Sequence, residues 1–374
     1  MRQSLPRPFR LAVDATPLLE TRPTGVARYA RGLLEAALAA SHPVALTLFV
    51  PDVPAAHAAD FPGPELRGRG AEVVRLGAGP AYRLAHLPGA LRRCRPHLFH
   101  SFFMAVPPPC GVPVVATAYE VPDASALRAE GCVRTLRQAT GWAAARRWAA
   151  GLAVISRHTG RAARAAGWAA DRPLGWVPPG VPGPRGRRVG RHAAREIIAV
   201  GTLRPKKGVE LAVAAVARLN ERTATGAPVR LTWIGAGVPP RRCAGRARFP
   251  GYLADPERDR LIAGAACLIV PSITEGFGLT ALEAMAAGCP VVVADAGALP
   301  EVVGRGGWVV PRASAESWAE VLGVVLAGGA EVRERVERAR RRAAGFTWRR
   351  AAARLLALHG RVLSSSKTFS TDVG

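Results

Sequence analysis

Two glutamates on either side of a glycine-rich turn could together bind a phosphorylated polyol. They are Glu275 and Glu283, and the residues after the first of them are Gly276, Phe277, Gly278, Leu279 and Thr280. Carboxylates accept hydrogen bonds from hydroxyl groups, and backbone N–H groups at the start of a helix bind phosphate oxygens. The alternative is that Glu275 is a first-turn glutamate favoured by the helix dipole and that Glu283 is a solvated surface residue.

A second loop contains the positive charge that a diphosphate would require. Residues 201–208 read G-T-L-R-P-K-K-G, and they follow an apolar run at 196–200. The loop opens with Gly201 and Thr202 and contains Arg204, Lys206 and Lys207. Glycines let the backbone approach a ligand closely, and the three cations can neutralise phosphate charge. A solvated basic loop is the alternative.

Strands and helices are predicted around both loops. Cys267–Val270 is a short apolar run that ends at Pro271, and the helical pattern of Leu279–Ala287 ends at Gly288. The helix should place Leu279, Leu282, Met285 and Ala286 toward a sheet. In such α/β units the loops at the carboxyl ends of parallel strands form the ligand site, which is where both loops would lie.

Strands and helices alternate through both halves of the 374 residues, of which 49% are apolar. We therefore predict an α/β protein with two Rossmann-like, doubly wound domains. The predicted divisions are 1–188, the first domain; 189–345, the second domain; 346–363, a C-terminal helix; and 364–374, a disordered tail. The linker is expected at 183–191, which is rich in proline, glycine and arginine.

In the first half, four residues fall where a ligand could be reached. Gly25 and Arg28 begin the helix that follows the first strand, an anion-binding position, although a plain helix start with a solvated arginine explains them too. His100 ends one predicted strand and Tyr119 follows the next. We predict that all four lie near a ligand at this edge of the first sheet.

The net charge of +25 favours polyanionic partners, unless arginine is simply frequent in this composition. No C-x-x-C pair, aromatic RNA-binding run or helix-turn-helix spacing supports nucleic-acid binding. The six cysteines are scattered and suit a reducing compartment. With no recognisable leader or membrane-spanning run, a cytoplasmic protein is expected, one that contacts an anionic membrane only at its inner face.

The run E-G-F-G-L-T-A-L-E-A-M-A-A-G-C-P-V-V, followed by G-A-L-P-E-V-V-G, closely resembles the nucleotide-sugar site of retaining glycosyltransferases with the GT-B fold, glycosyltransferase family four. The resemblance implies that Glu275 contacts the hydroxyls of the donor sugar, Glu283 the ribose, and the amides from Gly276 to Thr280 the phosphates. It also implies that Lys207 binds the diphosphate, that Arg204 or Lys206 takes over the task of a second cation there, as in mannosyltransferase-like members, and that the stretch around Tyr252 lies beside the base.

In this family the two domains face each other across a cleft that holds the active site. The resemblance therefore implies that 1–188 binds the acceptor, that 189–345 binds the nucleotide sugar and that the helix at 346–363 returns to the first domain. Four residues of the first domain are expected to line the cleft or bind the acceptor: Gly25, Arg28, His100 and Tyr119.

Two positions depart from the family pattern: Tyr119 stands where many members have histidine, and Thr202 where many have arginine. The expected activity is transfer of a mannose- or glucose-type hexose, with retention, from a UDP- or GDP-sugar to a glycan, lipid-linked or small-molecule acceptor. No cofactor or metal is expected, since Asp-x-Asp is absent. The alternative is a catalytically silent relative that binds nucleotide sugars or polyanions. A dinucleotide oxidoreductase is disfavoured because 13–25 lacks G-x-G-x-x-G.

Overall fold

Two parallel sheets, each in its own structural unit, organise the chain. The computed structural model describes residues 5–53, 61, 64–79, 81–121, 132–181, 195–223, 227–311 and 314–369. One unit contains the described residues up to Gly180 together with those from Thr347 onward, and the other is Val181–Phe346. The predicted boundary at 188 and the predicted linker at 183–191 lie outside the described residues.

The described strands are short, and most are buried on both faces. Those of the first unit are β1 (Phe9–Asp14), β2 (Val44–Pro51), β3 (Glu72–Leu76), β4 (Leu98–Ser101), β5 (Val114–Ala118), β6 (Gly151–Val154) and β7 (Leu174–Trp176). Those of the second unit are β8 (Glu196–Val200), β9 (Arg230–Ile234), β10 (Arg248–Gly251), β11 (Cys267–Val270), β12 (Val291–Ala294) and β13 (Trp308–Val310).

Helices connect these strands. In the first unit they are α1 (Gly25–Leu38), α2 (Pro64–Gly68), α3 (Leu87–Cys94), α4 (Cys132–Trp148) and α5 (Arg157–Ala165). In the second unit they are α6 (Val209–Arg222), α7 (Asp255–Gly264), α8 (Leu279–Ala287), α9 (Leu299–Val303), α10 (Ala315–Ala327) and α11 (Ala330–Ala343). The last helix, α12 (Trp348–Phe369), belongs to the first unit. No helix in the described part of the chain is both long and apolar enough to cross a membrane.

Both sheets have the same doubly wound topology. The strand order is β3-β2-β1-β4-β5-β6-β7 in the first sheet and β10-β9-β8-β11-β12-β13 in the second, and neighbouring strands are parallel throughout. Parallel sheets of this kind are covered by helices on both faces, which explains the continuous apolar runs in the sequence. The predicted α/β fold with two Rossmann-like domains is confirmed.

Helix α8 shows how the local sequence sets its burial. Four of its residues are buried against the sheet: Ala281, Leu282, Ala284 and Met285. Leu282 and Met285 are among the residues predicted to face the sheet, whereas the other two residues of that prediction, Leu279 and Ala286, are only partly buried. The helix ends at Gly288 in the left-handed conformation, with φ of +74°.

The C-terminal helix is longer than predicted. The polar composition predicts a disordered tail from Ser364, but α12 extends to Phe369. The Ser364 and Ser365 hydroxyls donate hydrogen bonds to the carbonyl oxygens of Gly360 and Arg361, at 3.0 and 3.1 Å. Because these polar side chains are satisfied by the helix itself, their polarity does not end it.

Candidate active site

The order in which the chain adds strands to the second sheet reverses between β8 and β11, although all the strands are parallel. From these two central strands the chain proceeds outward on opposite sides, to β9 and β10 on one side and to β12 and β13 on the other. At such a reversal the loops that follow the two strands diverge, and the crevice between them is the usual ligand site of a doubly wound sheet. The loops after β8 and β11 are the two that the sequence analysis identified.

The backbones of these two loops are in contact. Gly208 has a φ of +75°, and a Cβ atom there would overlap the carbonyl oxygen of Pro271, so only glycine is accommodated. The Ile273 N–H donates a hydrogen bond of 2.8 Å to the carbonyl oxygen of Lys206, whose side chain is buried. The cationic loop is therefore held directly against the loop that contains Glu275.

Lys207 and Glu275 form an ion pair across the two loops. The Lys207 Nζ atom lies 2.6 Å from Glu275 Oε2, and the Ser272 hydroxyl donates to the same oxygen at 3.2 Å. The side chains of Lys207 and Glu275 remain 19% and 18% exposed, so a ligand can still reach both. The pair places one cation and one hydrogen-bond acceptor side by side.

The environment keeps Glu275 ionised. Burial would raise its pKa, but the charge and hydrogen bond of Lys207, the charge of Lys206 and the Ser272 hydrogen bond together lower the pKa below its ordinary value. A group that has lost its proton at neutral pH cannot act as a general acid. Glu275 is therefore suited to accept hydrogen bonds from hydroxyl groups.

The turn after Glu275 leads directly into α8. Gly278 is the N-cap residue with φ of +95°, and a Cβ atom there would lie 2.6 Å from Leu299 Cδ2. Gly297 also has a positive φ, and Ala298 N–H donates to the carbonyl oxygen of Glu275 at 2.9 Å. The segment after β12 thus fixes the backbone of Glu275. The glycine N-cap offers no side-chain oxygen, which leaves the first amides of α8 suited to an anion.

Phe277 serves the fold rather than presenting its ring to a ligand. Its side chain is 3% exposed, and its ring packs edge-on against Phe346 with centroids 5.8 Å apart. Gly276 and Gly278 on either side are buried, whereas Leu279 and Thr280 are partly exposed. Any donor contact by Phe277 must come from its backbone, as the predicted role of the amides requires.

Glu283 lies near a buried arginine that sequence reasoning did not identify. Arg258 of α7 is 6% exposed and forms ion pairs of 2.6 Å with both Asp255 and Asp259. Its Nη2 atom also lies 3.7 Å from Glu283 Oε1. This contact places a buried positive charge beside the Glu283 carboxylate. In the sequence, an arginine close to two aspartates looks like a surface helix residue, so no local pattern reveals this contact.

Thr202 and Arg204 interact within the cationic loop. The Arg204 Nε atom donates a 3.1 Å hydrogen bond to Thr202 Oγ1. The carbonyl oxygen of Gly201, one residue earlier, accepts a 2.8 Å hydrogen bond from the Trp233 indole N–H. The hydrogen bond from Arg204 to Thr202 thus fixes the direction of the arginine side chain within the loop.

Tyr252 follows β10 directly and is partly exposed. Its proposed place beside a base stays a prediction.

In the first unit, Gly25 and Arg28 lie in the first turn of α1. Thr24 caps this helix by accepting a hydrogen bond from Ala27 N–H at 3.4 Å. Gly25 is exposed, and a Cβ atom would meet nothing within 4 Å. Its position at a helix start agrees with the sequence analysis, and its contact with a ligand remains a prediction.

Tyr119 follows β5 at the carboxyl edge of the first sheet. Its ring packs edge-on against Tyr29 at 5.6 Å, and its hydroxyl is shielded from solvent without a hydrogen-bond partner among the described residues. The neighbouring Tyr29 differs, because its hydroxyl donates to the carbonyl oxygen of Val177 at 2.9 Å. Burial raises the pKa of Tyr119 far above its ordinary value, and the charges of Tyr29 and Glu20 raise it further. It can therefore only donate or accept a hydrogen bond.

The structure does not support a ligand-binding role for His100. This residue is 1% exposed, its Nδ1 atom lies 3.0 Å from Nε2 of His359 on α12, and its Nε2 atom lies 2.8 Å from Thr117 Oγ1. Its side chain is buried and both ring nitrogens lie within hydrogen-bond distance of neighbours, one of them on the last helix, so its place in a cleft stays a prediction. That helix is distant in sequence and could not be placed from a local pattern.

Solved structures identify the fold. A sucrose-phosphate synthase from Thermosynechococcus elongatus aligns with 95% of this chain and 99% of its own, with a TM-score of 0.74 and 19% identity. WaaG, a glycosyltransferase of lipopolysaccharide biosynthesis, aligns with 92% of this chain and 98% of its own, with a TM-score of 0.69 and 19% identity. HepE from Anabaena, solved with UDP-glucose, covers 95% of this chain and 99% of its own, with a TM-score of 0.68 and 17% identity. The chain has the GT-B fold of these proteins.

Sequence comparison identifies the second domain. Residues 194–327 match the family described as glycosyl transferases group 1. An MMP alpha-(1->4)-mannosyltransferase from Mycolicibacterium hassiacum is 40% identical over 116 residues, 30% of this chain and 28% of the relative. A D-inositol 3-phosphate glycosyltransferase from Jonesia denitrificans is 34% identical over 181 residues, 44% and 42% respectively. The matched segments thus span less than half of these relatives. The resemblance to GT-B glycosyltransferases of family four is confirmed.

Proposed function

We propose that the protein is a glycosyltransferase that moves a hexose from a nucleotide diphosphate sugar to a hydroxyl group, with retention at the anomeric carbon. The observation that supports this most is the Lys207–Glu275 pair of 2.6 Å. It lies at the point where the strand order of the second sheet reverses, next to the start of α8. A cation, an acceptor of hydroxyl hydrogen bonds and a helix N-terminus are the groups that a sugar diphosphate requires.

The proposed chemistry follows from the charge that develops during transfer. The bond between the anomeric carbon and the diphosphate oxygen breaks, and the acceptor oxygen forms a bond to the same carbon. The acceptor's proton passes to the departing phosphate oxygen. Lys207, Arg204 and the amides after Gly276 would stabilise the growing negative charge, so a metal ion is not part of the proposal. Among the described residues, no three His, Cys, Asp or Glu side chains cluster as a metal site would.

The donor is proposed to be a UDP- or GDP-sugar of mannose or glucose type. The relatives support this choice by their own names, since one is a mannosyltransferase and the HepE structure contains UDP-glucose. In this chain Glu275 would bind sugar hydroxyls and Glu283, held by Arg258, the ribose. The acceptor is proposed to be a hydroxyl of a glycan, a lipid-linked intermediate or a small metabolite, reached in the cytoplasm or at the inner face of the membrane.

The first experiment tests the ion pair. We expect Lys207→Ala and Glu275→Ala each to lower transfer from UDP- and GDP-sugars by at least about a hundredfold, because each removes a group that contacts the donor. The melting temperature should change by only a few degrees. Transfer is measured with radiolabelled or mass-resolved donors, and donor binding by calorimetry.

A matched control is a solvent-exposed ion pair on α6 of the same domain. Arg218 and Glu221 pair at 2.8 Å with side chains 59% and 61% exposed, and Arg218→Ala or Glu221→Ala should leave transfer unchanged. Full activity per folded molecule in the Lys207 and Glu275 variants would rule out the assigned site. Donor binding without turnover in the unaltered protein would instead indicate the catalytically silent relative, which is motivated by Tyr119 in place of histidine and Thr202 in place of arginine.

A further inference from the structure

Two arginines of the first unit pack against one tryptophan at the carboxyl edge of its sheet. Trp176 is the last residue of β7, and the guanidinium carbons of Arg157 and Arg354 lie 4.7 and 4.1 Å from its ring centroid. Guanidinium groups at such distances are attracted to the π face of an indole ring. The tryptophan thus fixes the direction of two long side chains that would otherwise be mobile.

Three separate elements meet at this point. Arg157 is the first residue of α5, which begins just after β6, and Arg354 is on α12. Helix α12 approaches β7 closely because Gly175 has no side chain, since a Cβ atom there would lie 2.9 Å from Leu358 Cδ2. The fold therefore brings together cations that are far apart in the sequence.

A third arginine increases the positive charge. Arg350 lies about one turn before Arg354 on the same helix, and all three arginines are exposed to solvent. Burial lowers the pKa of Arg354 below its ordinary value, and the charges of Arg157 and Arg350 lower it further. The charges of Arg157 and Arg350 thus act on Arg354, and a phosphate group bound beside Arg354 would be attracted by all three.

The cluster is connected to a residue already considered for the acceptor. The hydroxyl of Thr159, in the first turn of α5, donates a 3.2 Å hydrogen bond to the carbonyl oxygen of Tyr119. Tyr119 and Arg157 follow β5 and β6, neighbouring strands of the sheet, and therefore lie at the same edge. That is the edge at which doubly wound sheets bind ligands.

We propose that Arg157, Arg350 and Arg354 form an anion site that binds a phosphate group of the acceptor. Arginine is suited to this role because its planar fork donates two parallel hydrogen bonds to phosphate oxygens. The site itself requires only these residues, whereas its assignment to the acceptor rests on the proposed glycosyltransferase function. The phosphate can come from a soluble sugar phosphate or from the headgroup of a lipid-linked acceptor.

The test begins with inorganic phosphate, titrated calorimetrically at constant ionic strength with chloride as the balancing anion. The protein contains Lys207→Ala, so that phosphate binding at the donor loop does not obscure the result. We expect Arg157→Gln and Arg354→Gln each to weaken phosphate binding about tenfold, the loss of one charge-assisted hydrogen bond. Arg349→Gln removes the same charge from the same helix and should weaken binding less than about twofold.

Equal weakening by all three substitutions would overturn the proposal, because it would indicate a diffuse positive field. Absence of phosphate binding in the Lys207→Ala protein would overturn it as well. Thermal unfolding of each variant shows whether the fold is retained, and Arg354→Lys adds a second measurement. It keeps the charge but loses the fork, and should restore binding only in part.

Two further binding experiments distinguish a soluble sugar phosphate from a lipid-linked phosphate as the ligand of this site. In the first, hexose 6-phosphate is compared with the neutral hexose. In the second, vesicles of phosphatidylglycerol are compared with vesicles of phosphatidylcholine. Arg354-dependent binding of the sugar phosphate indicates a soluble acceptor, and Arg354-dependent binding of the anionic vesicles alone indicates a lipid-linked one. If neither depends on Arg354, the proposal fails. Since no arm uses a nucleotide sugar, these results do not depend on whether transfer itself is observed.

Discussion

At the scale of single residues, a carboxylate inside a protein keeps its charge only if a cation or several donors are close. Glu275 has both, from Lys207 and from Ser272, and the result is a pKa below the ordinary value. The same contacts fix the direction of the side chain. Glu275 and Lys207 are thus prepared for a ligand before it arrives, which limits what binding costs in side-chain entropy.

Tyr119 offers a second test at this scale. Replacing it with phenylalanine keeps the ring packing against Tyr29 and removes only a shielded hydroxyl that has no partner among the described residues. We expect Tyr119→Phe to leave the free energy of unfolding unchanged or to raise it by up to about 1 kcal/mol. If the hydroxyl binds the donor or acceptor, kcat/KM for transfer falls about tenfold in the same variant.

The adjacent tyrosine provides the control. Tyr29→Phe removes a hydroxyl that donates to the Val177 carbonyl oxygen, and it should lower the free energy of unfolding by about 1 kcal/mol. Chemical denaturation of both variants measures the difference. Unchanged transfer in Tyr119→Phe would remove Tyr119 from the site, whatever its effect on stability.

At the scale of secondary-structure elements, the position of α12 depends on glycines that face it. A Cβ atom at Gly180 would overlap the backbone of Thr347 and Trp348 at the start of this helix. Backbone atoms cannot move aside as a flexible side chain can. Gly180→Ala should therefore lower the free energy of unfolding by about 2 kcal/mol and the melting temperature by several degrees.

Gly68→Ala is the matched substitution, since a Cβ atom at the end of α2 would meet nothing within 4 Å. Its melting temperature should stay within about one degree of the unaltered protein. Equal melting temperatures for the two variants would show that α12 does not pack as described. Because Arg350 and Arg354 are on this helix, Gly180→Ala should also weaken phosphate binding at the proposed anion site.

At the scale of the whole molecule, two fully buried histidines make stability depend on pH. Burial lowers the pKa of His100 to about 3, and burial together with the charge of His100 lowers that of His359 well below its ordinary value. The unfolded chain binds protons at these residues below about pH 6.5, while the folded chain does not until the pH is far lower. Stability therefore falls as the pH drops from about 6.5 toward about 3.

Urea denaturation between about pH 7 and about pH 4 measures this dependence. The double variant His100→Leu and His359→Leu, which removes the 3.0 Å contact as a unit, should lose stability less steeply over that range. An unchanged slope in the double variant would mean that the pair does not stay neutral in the folded protein.

The sequence by itself determined the two-domain α/β fold, the two loops of the second domain and the glycines within them. These features are local: apolar runs define strands, helical periodicity defines helices, and a glycine with positive φ is required by the turn in which it lies. The resemblance to family four rested on one continuous segment, and a continuous segment can be recognised without knowing which distant residues it contacts.

Only the tertiary structure decided which of these residues meet. Lys207 reaches Glu275 because β8 and β11 are neighbours, and His100 meets His359 because the last helix returns over β4, across 259 positions of the chain. Arg258 behind Glu283, and Arg157 with Arg354 at Trp176, arise in the same way. Strand order and helix packing bring distant segments together through the burial of many side chains at once, and no short stretch of sequence contains that information.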